Sequence, residues 1–346
     1  MMGGFRARPW VGIDIGEYSL KLVGIQAGGA RKSWVAEVPY EEKSNGKGRP
    51  DETVARAIEA AFSQAGLPLR GTAGISVGIA GPDVILKQVS LPLLDEEEVG
   101  PALRFEARKH LPFDPQTMVL DHQVLGRFPS EKRTEILLAA VSRDHLDTHL
   151  APFKLLDLEP DIVDATPLAL ANAMIMAGES APGAHVIVDV GWSASHLVVV
   201  QQGQPFFSRR IPFGGAHVTQ AISESAKVPL EEAEEWKLSA GSDHSGMRVD
   251  WNSPELVGLP DALRRQFMEE ILRSLAFYRT QASLSDIPRI WLSGGSARLP
   301  GLPARLSELM GVTITAFDPV STIRSNTGIT GTPQFVQAYG LASRAR

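Results

Sequence analysis

The sequence predicts an α/β protein of two related lobes facing a cleft, with a small α+β subdomain inserted into the first lobe. Three observations carry this. An apolar run closed by an Asp-x-Gly turn occurs twice, at Val11-Gly12-Ile13-Asp14-Ile15-Gly16 and at Val186-Ile187-Val188-Asp189-Val190-Gly191, with Asp189 standing 175 residues after Asp14. The match continues without a gap: Leu22 with Leu197, Val23 with Val198, Gln26 with Gln201, Gly28 with Gly203. Strand and helix patterns follow both copies, but a block after the first copy fits neither half. A chain of 346 residues at ~150 residues per domain also suggests about two domains.

Each copy reads as a buried β-hairpin, Val11–Ile15 with Leu20–Ile25 and Val186–Val190 with Leu197–Val200, followed by third strands at Ser33–Val38 and Pro205–Ile211. Glu52–Gly66 is a helix closed by its glycine, and Gly71–Ala80 is a strand. The inserted block reads strand Val84–Leu91, helix Asp95–Lys109, strands Met118–Leu125 and Glu135–Val141, and helix Arg143–Leu156. Leu158–Asp164 and Pro167–Ala177 return to the first lobe as strand and helix. In the second half, Leu230–Leu238 is helical and the polar Gly241–Trp251 is a loop. Asp261–Leu284 is a long helix with Leu263, Phe267, Ile271, Leu275 and Tyr278 on one face. Arg289–Ser293 is a strand running into Gly294-Gly295, and Gln334–Leu341 is the closing helix. The boundaries expected are 1–80 and 157–184 for the first lobe and 81–156 for the insertion. The second lobe takes 185–222 and 286–346, with 223–285 as its helical subdomain.

Composition narrows the function classes. Apolar residues make up 43%, charged residues 21%, and mean hydropathy is -0.04, values of an ordinary globular protein. A net charge of -6 gives no global basic field, so no nucleic-acid partner is expected. The absence of cysteine excludes disulfides, thiolate metal sites and cysteine catalysis, and fits a cytoplasmic location. No apolar run approaches the ~18 residues of a transmembrane helix, and Met1–Trp10 has no apolar core of a signal peptide. Only Ala342–Arg346 follow the closing helix, too short a segment for a membrane-binding helix, so no direct membrane insertion is expected.

The duplicated turns carry the chemistry. An Asp-x-Gly turn after a buried strand exposes successive backbone N–H groups, a concave site for an anion. Its glycine admits the close approach of a phosphate, and its Asp can hold the water around a Mg²⁺ bridging phosphates. Asp and Gly are ordinary turn residues, but their duplication at equivalent positions points to a nucleotide cleft with a loop from each lobe. The first loop comprises Asp14, Gly16, Glu17, Tyr18 and Ser19, and the second Asp189, Gly191, Trp192 and Ser193. Asp14 and Asp189 are the candidate metal residues. Gly294, Gly295 and Ser296 are the expected third wall.

On these motifs the chain resembles the actin-like ATPase superfamily. More narrowly it is similar to the PilM proteins of type IV pilus assembly, relatives of the FtsA division proteins. The narrower likeness rests on Glu106–Phe113 (EARKHLPF), Val119–Leu125 (VLDHQVL), Arg210–Gly215 (RIPFGG), Glu231–Lys237 (EEAEEWK), Arg273–Tyr278 (RSLAFY) and Leu292–Leu302 (LSGGSARLPGL). It runs from about Val11 to Ala342. The resemblance implies two actin-like (ribonuclease-H-like) lobes around a nucleotide cleft with an FtsA-like inserted subdomain. It also implies ATP or ADP with Mg²⁺, an adenosine loop at Gly294-Gly295, and Glu234 and Lys237 near the ribose. Read as residues alone, that pair is an exposed i,i+3 charge pair. Lys21 stands at a family-matching position after the first loop, with its face undecided by alternation. The partners implied are the N-terminal peptide of a PilN-like inner-membrane protein, pilus motor ATPases and self-association. Location is then peripheral to the inner membrane through partners. Leu103–Phe113 and Val119–Leu125 are the expected contributors to the peptide groove, which the first lobe and the insertion would form together. A division protein and a small-molecule kinase are the alternatives.

Glu17 and Trp192 depart from the small, hydroxyl-rich loops of the family, so hydrolysis is expected to be slow or absent. Three other signals carry no site. Gly74-Ile75-Ser76-Val77-Gly78 spells a hydrolase elbow, but a strand rather than a helix follows. His145 and His149 at i,i+4 lack a third metal ligand and read as a solvated helix face. The acidic Asp95–Glu98 complements a helix N-terminus.

Overall fold

A computed structural model of the protein describes residues 8–26, 32–40, 49–178, 183–239, 261–281, 287–320, 324–325 and 332–344. The loop expected at 241–251, residues 282–284 and Gly28 lie outside the described residues, as does the side chain of Leu263. The chain divides into two compact units, Ile79–Glu159 and the remainder.

The larger unit holds two sheets. In the first, β1 (Trp10–Ile15), β2 (Ser19–Ile25) and β3 (Lys32–Pro39) form an antiparallel meander. β4 (Gly74–Ile79) lies parallel to β1, β8 (Ile162–Ala165) lies beside β4, and the short β14 (Arg324–Ser325) beside β3. In the second, β9 (Ala184–Val190), β10 (Ser195–Gln201) and β11 (Gln204–Ile211) repeat the meander. There β12 (Arg289–Ser293) is parallel to β9, and β13 (Thr313–Ala316) to β12. The strand order β3-β2-β1-β4-β8 thus recurs as β11-β10-β9-β12-β13. The duplication read from sequence is a duplication of topology, with Asp14 opposite Lys21 and Asp189 opposite His196 in equivalent registers.

Two helices pack between these sheets, α4 (Thr166–Met176) and α9 (Val336–Ala342). Leu170, Met174, Val336 and Tyr339 share one apolar cluster with Val23 and Val35 of the first sheet and Ile187, Val198 and Val200 of the second. The helices cross at backbone distance: a Cβ on Gly340 would lie 1.8 Å from the Ala169 carbonyl oxygen. Over the second sheet, α7 (Asp261–Gln281) buries Phe267, Ile271, Leu275 and Tyr278 against β-strand residues such as Val199 and Ile290. On the first, α1 (Asp51–Ala65) buries Val54, Ile58, Ala61 and Phe62 and ends at Gly66 with φ 66°.

The smaller unit is a βαββα block. β5 (Ile85–Pro92), β7 (Arg133–Ser142) and β6 (Met118–Phe128) form a three-stranded antiparallel sheet in the order β5-β7-β6. α2 (Glu96–His110) buries Val99, Leu103 and Ala107 in a cluster with Val89, Leu91, Ile136 and Leu138. The acidic run starts α2, where the Asp95 N–H donates to the Glu98 carboxylate at 3.0 Å. α3 (Arg143–Leu155) is capped by Ser142.

Two details correct the sequence reading. The strand expected at Leu158–Asp164 begins only at Ile162, because Asp157 takes a left-handed φ of 50° and the Leu158 N–H bonds back to Phe153, prolonging the helix exit. His145 is half-buried rather than on a freely solvated face: its Nδ1 lies 2.7 Å from Asp83, which also accepts from Ser142 Oγ at 2.5 Å. Ser76 is a buried residue of β4 and accepts from Trp10 Nε1 at 2.8 Å.

Candidate functional site

The three loops singled out in the sequence converge in the larger unit. Each Asp-x-Gly turn closes a hairpin in the same way, with Gly16 N–H on the Ser19 carbonyl at 3.2 Å and Gly191 N–H on the Ala194 carbonyl at 3.1 Å. Asp14 and Asp189 are each the last residue but one of a buried strand and are each only 9% exposed. Antiparallel register puts Lys21 on the face of Asp14, and its Nζ lies 3.6 Å from the carboxylate, which settles the face left open by alternation. The same row continues to Glu37 on β3, which accepts from Ser19 Oγ at 2.7 Å. The Ser19 hydroxyl is therefore committed inside the sheet.

The equivalent row in the second lobe is Asp189, His196 and Arg210. Asp189 accepts from Ser293 Oγ at 2.7 Å. Its carboxyl is pushed up to about 6, chiefly by burial and further by the Asp14 charge, against the Ser293 hydrogen bond and Lys21. Asp14 is raised as well, by burial first, with Lys21 opposing and Glu37 adding. Burial, then Arg210, lowers His196 to about 4, so its imidazole is neutral at pH 7. Asp14 and Asp189 are thus two buried carboxylates whose charges reach one another, with Lys21 beside Asp14. Among the described residues no cluster of three metal-ligating side chains occurs. Mg²⁺ needs none, since it keeps several waters and uses one or two carboxylates beside phosphate oxygens.

The second loop is held by a helix the sequence did not reveal. α5 (Gly215–Ala226) points its N-terminus at the loop, where Gly215 and Ala216 N–H donate to the Gly191 and Trp192 carbonyls, both at 2.8 Å. In a trans peptide the N–H points opposite to the preceding C=O. The N–H groups of Trp192 and Ser193 therefore point away from α5, and among the described residues neither meets an acceptor. They are free anion donors.

The third loop abuts the second. Gly294 takes φ 87°, and a Cβ there would lie 2.4 Å from the Val190 carbonyl oxygen, so only glycine fits. Gly295 faces open space. A Cβ at Gly215 would lie 2.7 Å from Ser296 Oγ, which puts Ser296 at the head of α5.

Glu234 and Lys237, on α6 (Leu230–Leu238), pair with Glu234 buried and Lys237 half-buried, correcting the reading of an exposed pair. Glu234 is 3% exposed, lies 2.7 Å from Lys237 Nζ and accepts from Thr219 Oγ1 of α5. Lys237 also donates to Thr219 Oγ1 at 2.9 Å and to the Gly215 carbonyl at 3.2 Å.

Glu17 and Trp192 bridge the two lobes at the loop tips. The Glu17 carboxylate accepts from Ser193 Oγ. The Trp192 ring lies 5.4 Å from that of Tyr18 and 4.7 Å from Lys237 Nζ, sandwiched between an aromatic and a cation. The tips are tied across the cleft by one hydrogen bond and one ring contact. Of the residues near these loops, sequence reasoning missed Ser293, His196, Thr219, Tyr40 and Arg49. The position of His196, equivalent to that of Lys21 in the duplication, and that of Ser293, within the Leu292–Leu302 stretch, left a trace in the sequence.

The comparisons with known proteins agree with this architecture. A family model for the type IV pilus assembly protein PilM matches residues 12–346. The chain is similar in fold to a solved PilM–PilN type IV pilus biogenesis complex, at 24% identity, 98% coverage of each chain and a TM-score of 0.78. It is also similar to the archaeal actin homolog Ta0583, at 16% identity, 97% and 99% coverage and a TM-score of 0.50. Ethanolamine utilization protein EutJ of Salmonella typhimurium is 26% identical over 118 residues, 34% of this chain and 36% of EutJ. Cell division protein FtsA of Bacillus subtilis is 25% identical over 157 residues, 42% of this chain and 36% of FtsA. The chain thus spans a little over a third of the length of these curated relatives. Its fold is the actin-like one that the resemblance implies, and with a family match over nearly its whole length the chain belongs to the PilM family of type IV pilus assembly proteins.

Proposed function

We propose that the chain is a nucleotide-binding scaffold of the type IV pilus machinery, holding ATP or ADP with Mg²⁺ between its lobes and capturing the N-terminal segment of a PilN-like inner-membrane protein. The observation that carries the nucleotide reading is the pair of buried carboxylates, Asp14 and Asp189, at equivalent turns of a duplicated fold. The residues fit the group. The Trp192 and Ser193 N–H groups are free for phosphate oxygens, and Lys21 balances charge beside Asp14. Gly295 leaves room for the adenosine side, where Glu234 and Lys237 would meet the ribose. Bound Mg²⁺ would neutralise phosphate charge near Asp14 and Asp189.

The nucleotide serves in this reading as a bound ligand turned over slowly. The bridge at the loop tips supports this, since Trp192 occupies space beside the second loop. Trp192→Ala is expected to raise ATP affinity about fivefold, the worth of ~1 kcal/mol of aromatic and cation–π contact. Equilibrium titration checks this, and robust steady-state ATP turnover by the wild type contradicts the slow-turnover reading.

Two observations support the PilN-like partner: family membership and the existence of a PilM–PilN complex of the same fold. Within the smaller unit, β6 is an edge strand, and Phe105 and Phe113 stand 78% and 47% exposed. An extended peptide gains main-chain hydrogen bonds along such an edge and apolar contacts beside it. Pilus motor ATPases and further copies of the chain would join through the assembled complex. Among the described residues no helix is long and apolar enough to cross a membrane. Liposome flotation tests the reading. The protein is expected to float at physiological salt only with a membrane-tethered PilN N-terminal peptide. Flotation alone favours a division-protein role, and failure to float with the peptide contradicts the scaffold.

A further inference from the structure

Arg49 stands just before α1 and reaches the tip of the first loop, where its Nη2 donates to the Glu17 carbonyl. Its guanidinium lies over the Tyr40 ring, 4.0 Å from the centroid. Tyr40 follows β3, and its N–H donates to the Tyr18 carbonyl at 3.2 Å. Arg49 through its side chain and Tyr40 through its backbone are thus anchored to one turn, Gly16–Tyr18. Each carries a buried polar atom without a partner, Arg49 Nε and the Tyr40 hydroxyl. Among the described residues no carboxylate pairs with Arg49, and the Glu17 carboxylate turns to Ser193 instead.

Two donors buried side by side without an acceptor are costly unless a ligand supplies one. A guanidinium held over a ring is preorganised for contact with phosphate oxygens. Position decides which phosphate. Glu234, Lys237 and Gly294, at the adenosine end of the nucleotide reading above, all belong to the second lobe. Arg49 and Tyr40 belong to the first loop's side, so the phosphate farthest from adenosine is the one that reaches them. We propose that Arg49, held by Tyr40, binds the terminal phosphate of the nucleotide and distinguishes a triphosphate from a diphosphate. This rests on the nucleotide reading of the cleft.

The test is calorimetric titration of Mg²⁺·ATP and Mg²⁺·ADP into wild type, Arg49→Ala, Arg49→Lys and Tyr40→Phe, with thermal melts of each to verify folding. Arg49→Ala is expected to weaken ATP roughly 10- to 100-fold, the worth of a charge-assisted hydrogen bond, while leaving ADP within about twofold. Arg49→Lys keeps charge without the planar fork and falls between the two. Tyr40→Phe, which removes one hydroxyl, weakens ATP about threefold and leaves ADP unchanged. Equal losses for both nucleotides, or no loss for either, overturn the assignment. A wild type that binds neither nucleotide overturns the reading of the cleft itself, and this assignment with it.

Discussion

Asp189→Asn is expected to weaken Mg²⁺·ATP binding roughly 100-fold while raising the melting temperature of the ligand-free protein. Both effects follow from one buried carboxyl. The Asp189 carboxyl is pushed up to about 6 by burial and by the charge of Asp14, with Ser293 and Lys21 opposing. The folded protein therefore holds its proton more tightly than the unfolded chain, whose Asp titrates near ~3.9. Stability from this group is complete below about pH 4 and is lost as pH rises through about 6, on the order of 2–3 kcal/mol by pH 7. Asn keeps the shape, still accepts from Ser293, and removes the buried charge. The groups facing the position, Asp14, Lys21, the neutral His196 and Ser293, remain in the variant. Thermal melts at pH 5 and pH 7 should show a steeper pH dependence in the wild type than in Asp189→Asn. Metal–nucleotide affinity runs the other way, rising in the wild type through about pH 6 as the carboxylate ionises. Unchanged affinity in the variant would remove Asp189 from the metal site.

Gly340→Val is expected to destabilise the fold by about 3 kcal/mol or more. A Cβ on Gly340 would sit 1.8 Å from the Ala169 carbonyl oxygen and 2.7 Å from its carbon, and neither backbone atom can swing aside as a flexible side chain does. The crossing joins α9 to α4 in the cluster that both sheets share, so parting the helices also parts Val336 and Tyr339 from Val198 and Leu170. Against a total stability of about 5–15 kcal/mol, such a loss shows as a lower urea midpoint or as insoluble protein. Gly100→Ala in α2 is the matched control, because its Cβ would meet nothing closer than His122 at 3.8 Å. That change should be neutral or stabilise by up to about 1 kcal/mol. Comparable losses in both variants would mean that close packing at Gly340 is not what the fold depends on.

Duplication made most of the architecture legible. Two matching apolar hairpins with Asp-x-Gly turns give the paired strands and the equivalent places of Asp14 and Asp189, because alternation and turn chemistry are local. What escaped was non-local. α5 follows Gly214, begins with Gly215 and carries Val218, Thr219 and Ile222, weak helix formers without a Ser, Thr, Asp or Asn cap. Burial of Val218, Ala221 and Ile222 makes it a helix, and burial is invisible to a pattern reading. The pair Glu234 and Lys237 looks exposed because i,i+3 spacing says nothing of Thr219 opposite. Arg49 and Tyr40 are single residues in unremarkable stretches, and their meeting with the first loop is a non-local contact.

The most direct measurement is a calorimetric titration of ATP into the purified wild-type protein with and without Mg²⁺ at pH 7.5. Saturable binding of one nucleotide per chain, strengthened by Mg²⁺, is the predicted result. No heat of binding at millimolar ATP, from protein with a cooperative thermal melt, would contradict a nucleotide site between Asp14, Asp189 and Gly294.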